Sequence, residues 1–197
     1  MKSDEEQQKS LSFWRSALEY IRDVVYMLAF VVLVFTFVVR IVVVSGNSMY
    51  STLVDGDYLL LVNNHFCGQL EQGDIVVASM NRFREGEAIV KRVIATQGQT
   101  VDIDFDQGIV YVDGVALDEP YTFTDTNLNE GTEFPIVVKE GCLFLMGDNR
   151  NGSQDSRDPL IGSVDRREIL GKVVFLMFPG TDSGRLKADF GRIGGVG

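Results

Sequence analysis

VVYMLAFVVLVFTFVVRIVVV, residues 24–44, is an unbroken run of 21 residues in which only Thr36 and Arg40 are not apolar. It runs directly into Ser45-Gly46-Asn47-Ser48-Met49. At a rise of 1.5 Å per residue a helix of that length spans roughly 30 Å, the thickness of a bilayer's hydrocarbon core. Arg40 lies four residues from the end, where its stem reaches the interface. A cleaved leader has an apolar region of about 7–15 residues, so the longer run predicts a retained transmembrane helix over 24–44. A serine in a small, flexible setting then stands a few residues from the lipid surface.

Upstream, residues 1–23 form a short lead with apolar positions at Leu11, Phe13, Trp14, Leu18 and Ile21. Lys2, Lys9, Arg15 and Arg22 precede the span, and after Arg40 the next basic residue is Arg82. The positive-inside tendency therefore predicts a cytoplasmic N-terminus and an extracytoplasmic segment 45–197. Residues 1–44 carry five basic and five acidic side chains, so the net charge of −10 falls entirely on that segment. Such an acidic domain argues against nucleic acid as a partner.

Downstream of residue 44 the helical period disappears. Short β-branched runs at 58–62, 74–78, 88–94, 100–103, 109–112, 142–146 and 172–178 alternate with turn signals such as Asp55-Gly56-Asp57 and Asp113-Gly114. Short strands closed by Gly and Asp turns predict a mostly-β barrel or sandwich. The stretch 116–140 is more polar and less periodic, as in an inserted subdomain, here bounded at 98–141. Beyond Pro179 the chain is Gly-rich, which predicts a loosely held end. Cys67 and Cys142 are compatible with one disulfide or with two isolated thiols, and no CxxC or histidine pair suggests a metal.

A serine nucleophile needs a base. The single histidine, His65, sits in the polar loop Asn63-Asn64-His65-Phe66, which reads as surface. A lysine can serve if burial lowers its pKa from about 10.4 toward neutrality. Lys91 lies within Ala88-Ile89-Val90-Lys91-Arg92-Val93-Ile94, and strand alternation puts it on one face with Ile89 and Val93. Taken alone, such a lysine is more often an edge-strand guard against aggregation. Arg92 then faces the other way, toward an acid. A third segment, Gly147-Asp148-Asn149-Arg150-Asn151-Gly152-Ser153-Gln154-Asp155-Ser156-Arg157, is dense in hydrogen-bonding groups. Its composition suits either an ordinary turn or a cross-linked rigid loop.

Together these segments resemble one family, the bacterial type I signal peptidases, membrane-bound serine proteases that remove signal peptides. Residues 45–53 resemble the family's nucleophile box, Gly73-Asp74-Ile75-Val76-Val77 the strand box after it, and Val90-Lys91-Arg92-Val93-Ile94 the lysine box. Residues 147–157 match the GDNRxxSxDSR signature without a gap, and Phe190-Gly191-Arg192-Ile193-Gly194 is similar to the usual ending. The resemblance implies a signal-peptidase-like β-domain that uses no cofactor. It implies Ser48 as nucleophile, Lys91 as general base and Ser153 as the serine that hydrogen-bonds and orients that lysine. Asp155 and Arg157 are implied as a structural pair, with Asp148 and Arg92 as further supports. The Ser48 backbone N–H is implied as one oxyanion donor, and Gly46 stands where some members carry a second, a serine hydroxyl. Ser51 replaces the proline usual in the nucleophile box; Ala95, Gln97 and Gln99 replace the usual Gly, Pro and Asp.

The implied substrates are signal peptides of exported preproteins, cleaved after small residues (Ala-x-Ala) at the plasma membrane beside the lipid bilayer and the export machinery. Val44, Met49, Leu53, Ile89 and Val90 are the candidate groove residues, with a core role an equal reading for Leu53 and Val90. Two other readings share some features: a self-cleaving Ser/Lys repressor-type protease, whose DNA-binding domain a bilayer span here replaces, and a catalytically silent membrane-tethered β-domain that binds partners.

Overall fold

The computed structural model describes residues 2–181 and 188–196, with side chains from residue 14 onward. The chain divides into two units, Met1–Val39 and Arg40–Gly197. The first is one helix, α1 (Lys2–Phe37), of which Trp14–Phe37 is long and apolar enough to cross a membrane. Trp14, Leu18 and Ile21 are exposed, while Leu11 and Phe13 of the predicted apolar lead lie outside the described side chains.

The helix predicted through residue 44 ends earlier. Val38 closes the last turn on Val34, and β1 (Val39–Val43) is a strand. The cause is local and tertiary together. Apart from Arg40, residues 38–44 are all β-branched, which favours extended backbone. Val44 then donates its N–H to Asp57 O and accepts from Gly56 N–H, both at 2.9 Å, so the β-domain supplies the partners a helix would have supplied internally.

In the second unit β2 (Tyr58–Asn63), β3 (Ile75–Ser79), β4 (Ala88–Thr96), β5 (Thr100–Asp104), β6 (Ile109–Val112) and β7 (Val115–Ala116) are followed by β8 (Ile136–Val137), β9 (Cys142–Met146), β10 (Val164–Asp165), β11 (Ile169–Phe178) and β12 (Gly194–Gly195). They form an eight-stranded sheet, β1-β2-β11-β3-β4-β9-β10 with β12 on β11, and a four-stranded sheet, β7-β6-β5-β8. Every predicted run has its strand. The small sheet joins the predicted runs β5 and β6 to two short strands, β7 and β8, that sequence periodicity did not mark.

The large sheet is covered on both faces, and alternation along its central strands divides the core. From β3, Val76 and Ala78 enter one hydrophobic cluster with Val93, Leu143 and Leu145; Ile75 and Val77 enter another with Leu59, Leu61 and Val173. Phe144 and Met146 of β9 join Val101, Ile103, Val110 and Val112 in a third, which fastens the small sheet to the large one. Double coverage explains why β3 reads as a continuous apolar run. Cys67 and Cys142 are both free thiols.

The chain's end is less loose than its glycines predict. Part of it, residues 182–187, lies outside the described residues. Beyond it β12 pairs with β11, and Arg192 reaches the fully buried Asp57 at 2.9 and 2.6 Å and Thr52 O at 3.0 Å.

Candidate active site

Three segments of the β-domain converge on one groove of about 290 Å³. The end of β1 and the turn after it contribute Val44, Gly46 and Ser48; the first half of β4 contributes Ile89 to Lys91; the loop after β9 contributes Gly152 and Gln154. Gly147 brings them together. A Cβ added there would stand 2.2 Å from Ser153 Oγ and 2.4 Å from Ser48 O, so only glycine lets the two serine segments approach. Asn149 stitches the same junction, its N–H donating to Ser48 O at 3.0 Å and its side chain to Asn47 O at 3.1 Å.

Lys91 is 3% exposed. It pairs in register with Val76 and shares a face with Ile89 and Val93, as its strand alternation predicts. It is therefore no edge guard. Burial lowers its pKa from 10.5 to about 8, against the opposing pull of Asp155 and Glu130 and with the help of Arg157 and Arg84. An amine so placed is partly neutral near physiological pH and can accept a hydroxyl proton. His65, by contrast, is exposed, and its backbone N–H closes a turn on Asn63.

Arg92 points away from the groove, as expected, and grips Asp148 through Nε and Nη2 at 2.9 and 2.8 Å. Its third nitrogen donates to Gly73 O, and its guanidinium stacks 3.9 Å from the Tyr121 ring centroid. Thr52, within the nucleophile box, donates to Asp148 Oδ2 at 2.5 Å. Asp148 thus ties the serine segment to the lysine strand.

Asp155 and Arg157 form the second buried pair, bidentate at 2.8 Å on both arms. Asp155 Oδ2 also accepts from Gly147 N–H at 3.0 Å and from Ser153 Oγ at 2.9 Å. The Ser153 hydroxyl proton is thus held by Asp155. Gly46 is also placed differently from expectation. Its N–H donates to Asp55 Oδ1 at 2.8 Å and is not a free oxyanion donor.

Of the predicted groove residues, Val44, Met49, Ile89 and Val90 line the cavity, and Val90 also packs on the core. Leu53 does not line it. It is fully buried among Leu59, Leu61 and Ile75, and so is a core residue. Phe83, Val77 and Leu170 line the groove without having been singled out, because each reads in sequence as ordinary core.

Sequence reading also missed two acids of the inserted subdomain. Glu119 holds the buried Arg150 bidentately, at 2.8 and 2.5 Å. Glu130 pairs with Arg157 at 3.3 Å and accepts from Asp155 N–H at 3.1 Å. A signal for the first existed: two aspartates in the 147–157 loop cannot neutralise Arg92, Arg150 and Arg157.

Residues 17–178 match the family model for signal peptidase, peptidase S26. The chain is 33% identical to a signal peptidase I of Bacillus amyloliquefaciens over 91% of its own length and 92% of the relative's. It is 31% identical to one of Bacillus licheniformis over 88% and 95%. A crystal structure of a signal peptidase I from Enterococcus faecalis V583 aligns with 53% of this chain and 96% of that one, at 29% identity and a TM-score of 0.43. With its anchor helix and its β-domain, this chain belongs to the signal peptidase family, peptidase S26.

Proposed function

We propose that this membrane-anchored serine endopeptidase cleaves signal peptides from exported preproteins, with Ser48 as nucleophile and Lys91 as general base. The observation that carries the assignment is that a buried lysine of lowered pKa and a half-buried serine line the same groove. Lys91 Nζ takes the proton as Ser48 Oγ attacks the scissile carbonyl carbon. The oxyanion develops against the Ser48 backbone N–H. Lys91 then returns its proton to the departing amine, leaving an acyl-enzyme on Ser48. A water, deprotonated by the same amine, hydrolyses that ester.

The groove also suits an extended substrate. Ala88 to Val90 pair with β3 on one side, while pairing with β9 begins only at Arg92, so the other edge of β4 is open beside the groove. A peptide can add there as a strand, its alternate side chains entering the wall made by Val44, Met49 and Ile89. A narrow apolar wall excludes bulk, consistent with small residues before the scissile bond. The basic lead before the apolar helix supports a cytoplasmic N-terminus and a β-domain on the far face of the plasma membrane, where preproteins emerge from the export machinery.

The test is a peptide ending in Ala-x-Ala before the scissile bond, given to the detergent-solubilised full chain. Ser48→Ala and Lys91→Ala each reduce turnover to background with the fold retained by circular dichroism. Near-full activity in Lys91→Ala overturns the dyad, and no turnover by the wild type in any detergent favours a silent binding domain.

A further inference from the structure

We propose that Glu130, contributed by the inserted subdomain, is a positioning residue of the active site that fixes the Asp155–Arg157 pair against the base Lys91. The inference rests on Lys91 acting as the base. The chain of contacts is short. The β4–β9 ladder ends at the Arg92–Met146 pair, and Lys91 and Gly147 are the next residues along the two chains beyond it. The Gly147 N–H donates to Asp155 Oδ2, which also holds Ser153 Oγ. Glu130 clasps this group from the far side, one oxygen on Arg157 Nη2 and the other on the Asp155 N–H.

Arg157 is fully buried and is shared by two carboxylates. Glu130 lines a shallow cavity of about 450 Å³ with Gly152, Ser153 and Gln154, and the active-site groove includes Gly152 and Gln154 as well, so the acid sits next to the catalytic groove. Its position has an electrostatic consequence. Lys91 feels Asp155 and Glu130 as negative neighbours and Arg157 and Arg84 as positive ones. Glu130 in turn is pushed up to about 7 by burial and by Asp155 and Asp158, against Arg157 and the Asp155 N–H. Its charge favours the ammonium form of Lys91, so removing the charge makes the amine neutral at lower pH.

Glu130→Gln keeps an acceptor for the Asp155 N–H and removes the charge. In the solubilised full chain its kcat/KM profile is expected to move its acid limb down by roughly half a pH unit to one unit. Glu130→Asp, which keeps the charge on a shorter stem, is expected to restore the limb toward the wild type. Loss of melting temperature in both variants with an unmoved limb makes Glu130 merely structural and overturns the proposal. Carboxyl 13C titration of the full chain gives a reading that needs no Glu130 variant: its midpoint rises when Lys91→Met removes a positive neighbour, and an unchanged midpoint also overturns the proposal. Residual turnover in Ser48→Ala would instead sink the dyad itself, whatever Glu130 does.

Discussion

Lys91 carries a conflict between stability and function. With its folded pKa near 8 and an ordinary value of 10.5, the unfolded chain binds more protons between those limits. Stability therefore rises with pH across roughly 8 to 10.5, and below 8 the buried ammonium costs about 3 kcal/mol. Lys91→Met fills similar volume without the charge. It is expected to be inactive yet more stable than the wild type at pH 7, by up to about 3 kcal/mol in urea unfolding, with the gain fading above pH 8. A Lys91→Met chain that unfolds more easily at pH 7 would mean that the ammonium is held by more attraction than burial takes away. Activity has the matching sign: kcat/KM rises with pH through about 8 as the amine deprotonates, and a flat profile from pH 6 to 9 would remove Lys91 as the base.

Among the elements, the loop after β9 does most to assemble the site, and it was the most legible in sequence. Its arginines and aspartates could be read as a cross-linked loop because a buried guanidinium demands a carboxylate. Glu119 and Glu130 were not legible, since isolated acids in a polar, aperiodic stretch look the same whether they reach solvent or another loop. The end of the helix was ambiguous for a related reason. Valine and isoleucine suit an apolar span by hydropathy and a strand by β-branching, and the Val44 pairing with Asp57 and Gly56 settles the choice. Where Gln97 and Gln99 depart from the family pattern, they rebuild the turn themselves. Gln99 accepts from Thr96 N–H at 2.9 Å, and Gln97 accepts from Gly141 N–H at 2.8 Å. The tightest point of the loop is Gly147. Gly147→Ala must push Ser48 O or Ser153 outward, and is expected to lower kcat at least tenfold and cost about 1–3 kcal/mol of stability. Wild-type kcat in that variant would show that the serine segments need no such close approach.

For the whole molecule, the boundary between anchor and domain falls inside the apolar run, not at its end. The three core clusters all lie within the second unit, and Val44 belongs to one of them with Met49 and Leu53. The β-domain therefore begins with β1, whose residues sequence hydropathy assigns to the membrane. Two truncations separate these readings. A chain starting at Val39 keeps β1 and is expected to fold and cleave an Ala-x-Ala peptide in detergent, while it processes a vesicle-bound preprotein far more slowly than the full chain. A chain starting at Ser45 loses β1 and the buried Val44, and with them the Val44–Asp57 and Val44–Gly56 hydrogen bonds and one wall of the groove. It is expected to melt several degrees lower and to lose peptide cleavage even in detergent. Equal melting and equal peptide turnover in the two truncated chains would return residues 39–44 to the anchor.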